Sequence, residues 1–278
     1  MKLSVVIPAR NEADNISTTL DAVRQRLVHE GIEYELVIVD DGSTDTTPQQ
    51  VQACSATDSG IILVRNTGQH GFGLAVRCGL DVCTGDAVVI AMADASEAPD
   101  DIVKYYYILR DTAECAFGSR FIKGSAVENY PPLKRCLNRL GNLGIRLLFG
   151  MQYNDITNAF KGYRAYVIAG CRPLLARHFN LTVELPLKAM LRGYSYAIVP
   201  ISWYNRKQGF SSFRMTELGS RYLYSVLHVW LEKKLTHGND CRSDAEGVRR
   251  WPPHTTDDRS TCPADLGSQR ATDKYQKT

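Results

Sequence analysis

"YELVIVDDGSTD" (residues 34–45) decides the fold. Leu36 to Val39 is an unbroken aliphatic run that ends in two carboxylates, Asp40 and Asp41, and then in Gly42 and Ser43. A run without alternation fits a strand buried on both faces, as in a parallel sheet covered by helices. Acids just past its end would then stand on the sheet's carboxyl rim.

The same grammar recurs on either side. "LSVVIPA" (3–9) reads as a strand that Pro8 stops, and residues 12–30 place Ile16, Leu20, Val23 and Leu27 at helical spacing. A helix over 44–57, the strand "GIILVRN", the helix "GFGLAVRCGLDVC", the strand "DAVVIAM", a helix from Pro99 to Arg110 and the strand "ECAFGSRF" follow. Strand and helix alternate, which predicts an α/β chain with a mostly parallel sheet between helices. Ligands of such sheets bind beyond the strands' carboxyl ends. Those ends are "PARNE", "DDGS", "RNTG", "MADASE" and "GSRF", all polar, so the rim is expected to hold a polar ligand.

Residues 131–149 read as a basic amphipathic helix, with Leu133, Leu137, Leu140 and Leu147 on one face and Arg135, Arg139 and Arg146 beside it. "NDITNAFKGYR" (154–164) reads as a polar loop with no core pattern, followed by a helix in "TVELPLKAMLRG" and a strand in "YAIVPISW". A last helix, rich in Tyr, Leu and Trp, is expected over 215–234. Three units result: a main domain over 1–214, an amphipathic helix over 215–236 and a polar tail over 237–278. Beyond residue 237 the only large aliphatics are Val248 and Leu266, too few to offset chain ordering, so the tail is expected to be disordered.

Bulk composition narrows the classes. A formal net charge of +3 argues against a general nucleic-acid binder. The eight cysteines show no zinc spacing and read as thiols in a reducing compartment. "MKLSVVIPARNE" lacks a signal-peptide core, and no window is apolar for long enough to span a bilayer. A cytoplasmic chain peripheral to a membrane is the expectation.

Each motif has two readings. Asp40 suits a nucleotide's hydrogen-bond donors, while Ser43 or Thr44 suits the cap of the next helix. Glu12 suits a ligand or merely the dipole of a helix first turn. Arg65 and Arg77 face a phosphate or solvent. The glycines in "RNTGQHGFGLAVRCGL" form neither a P-loop nor a dinucleotide fingerprint.

Read together, "VVIPARNEADNI", "VIVDDGSTD", "RNTGQHGFGLAVRCGL", "TGDAVVIAMADAS", "FGSRFIKG", "NRLGN", "NDITNAFKGYR", "ELPLKAMLRGY" and "VPISWYNRKQG" stand in order across residues 3–215. This series resembles the family 2 glycosyltransferases of GT-A fold, and among them the polyprenyl-phosphate sugar synthases typified by dolichyl-phosphate mannose synthase. The resemblance implies that Pro8, Ala9, Arg10 and Glu12 lie under a nucleotide base and that Asp40, with Asp41 beside it, contacts that base. It implies Arg120 near the donor or acceptor phosphates. It places Asp155, Thr157, Asn158, Lys161 and Arg164 beside the transferred sugar and acceptor phosphate, with Lys161 where the family has Arg. A late cation, Arg206, matches a basic residue near the acceptor. Glu184 has apolar neighbours and is expected to be buried against a partner, an arginine or a sugar hydroxyl.

One departure stands out. The family carries Asp-Ala-Asp after its fourth strand; here Met92 takes the first place and Asp94 the second, with Ser96 and Glu97 following. Three readings stay open. Asp94, Ser96 and Glu97 hold Mg²⁺ or Mn²⁺ together with the donor diphosphate; arginines neutralise the diphosphate without metal; or the chain binds a nucleotide sugar without turnover.

The implied activity is inverting transfer of a sugar from a nucleoside diphosphate (GDP-mannose or a UDP-sugar) to a polyprenyl phosphate. A soluble or polysaccharide acceptor is the alternative, as is a non-catalytic binder of nucleotide sugars. A lipid acceptor requires a membrane surface, which the helix over 131–149 would meet. For 215–234, membrane interface, core packing and dimer contact all remain open, the last making the chain a homo-oligomer.

Overall fold

The structure, a computed structural model, describes residues 1–204 and 215–235, the first four of the latter by backbone alone. The expected site residue Arg206 and the tail over 237–278 lie outside the described residues. The elements run β1 (Leu3–Ala9), α1 (Ile16–His29), β2 (Tyr34–Asp40), α2 (Thr47–Thr57), β3 (Ile61–Arg65), α3 (Phe72–Val82), β4 (Ala87–Ile90) and α4 (Pro99–Asp111). Then come β5 (Cys115–Ser119), β6 (Ala126–Glu128), α5 (Pro132–Phe149), β7 (Lys161–Arg164), α6 (Ala165–Gly170), α7 (Leu181–Leu191), β8 (Tyr196–Pro200), β9 (Ser202–Tyr204) and α8 (Met215–Leu235).

Seven strands form one sheet in the order β3-β2-β1-β4-β7-β5-β8. All are parallel except β7, which lies antiparallel between β4 and β5. Successive strand residues go to opposite cores. Leu3, Val5, Ile7, Leu36 and Ile38 join the layer beneath α1 and α4, while Val6, Val37 and Val39 join the layer beneath α3, α6 and α7. That double burial is why the strands read as continuous aliphatic runs. α1 buries Ile16, Leu20, Val23 and Leu27, the residues its spacing singled out.

Several expectations are corrected. Pro8 does not end β1; pairing with β4 stops at Val6, so the ring sits where no neighbour on that side needs an N–H. Neither Ser43 nor Thr44 caps α2, which starts later; the N–H of its first residue, Thr47, donates to Asp45 Oδ1 at 2.9 Å instead. The "polar loop" contains β7, a central strand, and Asp155, Asn158, Phe160 and Lys161 in or before it are buried. β6 and α6 are short and lacked a periodic signal.

α5 inverts the usual amphipathic logic. Only Asn142 and Phe149 are buried, while Leu133, Leu140 and Leu147 are 72%, 64% and 73% exposed. α8 packs Ser225, Val226 and Val229 inward and leaves Leu223, Leu227, Leu231 and Leu235 exposed. Among the described residues no helix is long and apolar enough to cross a membrane.

Candidate active site

The carboxyl ends of β1 to β5 converge on one rim, and the strand order turns back between β1 and β4, where a crevice forms. Two loops flank it, each reading the other. The Asn11 N–H donates to Ser43 Oγ (3.0 Å), the Thr44 N–H donates to Asn11 Oδ1 (2.8 Å), and the Glu12 N–H donates to Thr47 Oγ1 (2.9 Å). Asn11 takes φ 55 to do this, a left-handed conformation that Asn tolerates. Pro8, Ala9, Arg10, Glu12, Asp40 and Asp41 are thereby brought together, with Arg65 exposed at the end of the neighbouring strand.

The two adjacent acids differ. Asp40 accepts from the Ser43 N–H at 3.0 Å and is 8% exposed. Asp41 faces the glycine-rich segment, accepting from Asn66 Nδ2 (2.7 Å) and from the Gly71 N–H (2.8 Å), with His70 Nδ1 at 3.3 Å. Asp41 therefore anchors the 66–71 loop. Gly42, at φ 74, leaves the space that the His70 ring fills; a Cβ there would sit 2.5 Å from it.

Beyond β4 the departure at Met92 has a physical answer. Glu97 Oε2 accepts from the backbone N–H of Met92 itself at 3.1 Å. Burial, then the charge of Asp94, pushes the Glu97 carboxyl up to about 8, so the two acids are close enough to repel. Ser96 is buried, its N–H donating to Asp94 Oδ1 at 3.2 Å, and Ala95 between them holds φ 55. A non-glycine residue in that conformation costs of order 1 kcal/mol and persists where the surroundings enforce it. Among the described residues no three His, Cys, Asp or Glu side chains form a group that could by itself hold a metal ion. The Asp94–Glu97 pair nevertheless fits a hard divalent cation, which takes one or two protein carboxylates when phosphates complete its shell.

Across the rim, Arg120 and Asp155 form a buried bidentate pair. Arg120 Nε and Nη2 each donate at 2.8 Å, and the Arg120 N–H adds a third bond at 2.9 Å. Asp155 holds the guanidinium well above its ordinary range despite burial. The rings of Phe121, Tyr130 and Trp203 surround it at 5.4 to 5.9 Å. The sequence reading missed these rings, since each comes from a different segment and none has a local signal. Trp203 also bridges to Glu97, and the Tyr204 N–H donates to Ser96 O at 3.0 Å, so β9 joins the two charged clusters.

The other expected residues are used differently. Thr157 hydrogen-bonds Asn142 and Asn138 on α5, and Asn158 Nδ2 donates to Gly118 O at 3.0 Å. The i, i+4 spacing of those asparagines, opposite the leucines, was the available clue. Lys161 is 1% exposed, and its Nζ donates to the carbonyls of Ile156 (2.9 Å), Asn158 and Thr182 (3.1 Å), so it clamps the loop rather than facing the crevice. Burial pulls its ammonium down to about 7, partly offset by Asp155.

Arg164 lies at the opposite edge of the sheet: because β7 runs backwards, Lys161 pairs with Ile90 at the rim and Arg164 with Ala87 at the far end. Its Nη1 meets Met1 Sδ. Glu184 is buried as expected, and its protein partners are Lys188 Nζ (2.9 Å) and the backbone N–H groups of Leu175 and Ala176, a lysine in place of the expected arginine. It braces the segment before α7.

Comparison with known proteins accords with this architecture. Residues 4–171 match the family Glycosyl transferase family 2. Dolichol-phosphate mannosyltransferase of Pyrococcus furiosus is 29% identical over 218 residues, 77% of this chain and 60% of the relative. Polyprenol monophosphomannose synthase of Mycolicibacterium smegmatis is 29% identical over 213 residues, 74% of this chain and 79% of the relative. This chain thus spans 60% of the Pyrococcus protein's length. Among solved structures, glucosyl-3-phosphoglycerate synthase from Mycobacterium tuberculosis, in complex with Mn²⁺ and uridine-diphosphate-glucose, superposes with a TM-score of 0.61 at 19% identity, covering 84% of this chain and 78% of that one. At that identity the likeness speaks for the fold alone.

Proposed function

The chain belongs to glycosyl transferase family 2, and on that premise we propose that it transfers a sugar from a nucleoside diphosphate to a polyprenyl phosphate at a membrane surface, with inversion at the anomeric carbon. The names of the Pyrococcus and Mycolicibacterium relatives support the acceptor class. The observation that carries the reading is the mounting of α5. Its polar side, Asn138 and Asn142, is stitched to Thr157, two residues from Asp155, while its leucines face outward. An apolar face stands one helix away from the buried Arg120–Asp155 pair. That geometry suits an acceptor whose phosphate enters the rim and whose chain stays in lipid.

In this reading the 8–12 and 40–45 loops hold the nucleoside. Asp94 and Glu97, beside Ser96, would hold the divalent cation. When bound, that cation neutralises charge on the departing diphosphate. An acceptor phosphate is already anionic near neutral pH and needs positioning rather than deprotonation. Arg120, fixed by Asp155 and walled by three rings, supplies an oriented positive charge that costs no rearrangement during transfer. Asp155, Lys161 and Asn158 act by holding the loop beneath it.

The test is a donor screen with radiolabelled UDP- and GDP-sugars, a short polyprenyl phosphate, and Mn²⁺ or EDTA. Label in the organic phase only with metal is the expected result. Label that survives EDTA removes the cation from the scheme, and label confined to water-soluble products with any donor removes the lipid acceptor.

A further inference from the structure

On the sheet face that carries α5, α7 and α8, a cavity of about 340 Å³ opens between the end of α5, α7, the start of β8 and α8. Phe149, Met151, Leu187, Met190 and Tyr196 line it, and Lys233 stands at its edge. We propose that this cavity seats the aliphatic chain of the lipid acceptor, an inference that rests on the polyprenyl-phosphate reading above.

Three observations converge. The first is chemical. Two methionines give the lining the adaptability that a flexible chain needs. Among the described residues the one charged group of the lining is drawn aside: Lys233 Nζ donates to Phe149 O at 3.3 Å and lies 5.8 Å from the Phe149 ring. The second is continuity. Exposed Leu147 and Leu148 on α5 and Leu227 and Leu231 on α8 flank the same helices, so an apolar surface leads to the opening.

The third is distance. Tyr196 pairs with Cys115 at the start of β5, while Arg120 follows the last residue of that strand. Five residues of strand separate the cavity from the rim by about 16 Å. Along that span the rings of Tyr153, Phe117 and Tyr196 stack at 5.2 and 5.4 Å inside the core, and the apolar surface open to a lipid chain is the exposed leucine face of α5. A chain anchored by its phosphate near Arg120 would reach the cavity after a few isoprene units. A water-soluble acceptor would have no use for it.

Calorimetric titration of the full chain with butyl, farnesyl and geranylgeranyl phosphate, below their micellar concentrations, tests the assignment. Geranylgeranyl phosphate, long enough to cross the span, is expected to bind at least about tenfold more tightly than butyl phosphate. Met190→Trp, which fills the cavity, is expected to erase that gain and leave butyl phosphate binding unchanged; Met151→Trp, from the other side, is expected to do the same. Retained butyl phosphate affinity marks which variant is folded, so either one suffices. A chain-length gain that survives in a folded variant overturns the cavity assignment and leaves the lipid-acceptor reading standing. Failure of the wild type to bind any alkyl phosphate, while UDP or GDP still binds, overturns both.

Discussion

The end of the rim proposed for the nucleotide and the end proposed for the acceptor are built by opposite means. Around β1, β2 and β4 the loops are polar, lie near the surface, and are held by single bonds between a backbone N–H and a side-chain oxygen, as at Asn11–Ser43 and Asp40–Ser43. Around β5 and β7 the charges are sunk into the fold: Arg120, Asp155, Lys161 and Glu184 are all at least nine-tenths buried and all paired or caged. There it is the leucines of α5 that face out. The first arrangement leaves acceptors and donors near the crevice for a polar ligand to use. The second spends its polar groups on rigidity and leaves apolar surface for the partner. The proposed transfer of a sugar from a nucleoside diphosphate, which departs, to a lipid phosphate calls for both kinds of wall.

The sharpest way to break this contrast is at the buried pair. Asp155→Ala strands a guanidinium in a nearly water-free place, and loss of one partner from such a pair costs about 3 to 5 kcal/mol. Urea denaturation should show that loss, and transfer should vanish with it. At the polar end the effect should be on chemistry without unfolding. Asp94→Ala is expected to lower transfer about a hundredfold while the denaturation midpoint stays put. Mn²⁺ paramagnetic resonance in the presence of nucleoside diphosphate should report weakened metal binding, and Glu97→Gln should weaken it by about tenfold.

A smaller effect is expected on α5. Leu140→Asp with Leu147→Asp should cut sedimentation with anionic vesicles by about tenfold or more and spare transfer to a short, soluble prenyl phosphate. Equal loss on both acceptors would return α5 to a role in the fold.

A last effect, confined to the pH dependence of stability, sharpens the picture of Lys161. Its ammonium is held near 7 in the folded chain against 10.5 as the ordinary value. Between those limits the unfolded chain binds more protons, so stability should rise with pH across that window. Lys161→Met should flatten the rise. A slope unchanged by the substitution would mean that another group carries it.

The same contrast governs what could be read without coordinates. β1 to β4 were legible because double burial writes itself as Val and Ile runs, and the rim followed from their polar ends. β7 was not, because a central strand of four residues, "KGYR", opens with a caged lysine and carries no aliphatic at all. Missing its reversed direction put Arg164 beside Lys161 at the rim, although the two stand at opposite ends of β7. Glu184 was rightly expected to be buried; its partner Lys188 lay one helical turn on, a local spacing that an argument about distant arginines overlooked. The replacement of the first Asp by Met92 was visible, but the turn at Ala95 that carries Glu97 back to the Met92 N–H was not.

The antiparallel strand β7 also sets the order in which the chain can assemble. β1 to β4 arise from the first 90 residues and pair with one another, whereas β5 and β8 reach them only through β7, which is not complete until residue 164. During synthesis the open edge of β4 therefore waits for about 70 further residues, several seconds at the usual pace of elongation. An unpaired edge of that kind is a hazard. β7 is a keystone: a chain cut before it would leave β4 with a raw edge and β5 with no strand to pair with.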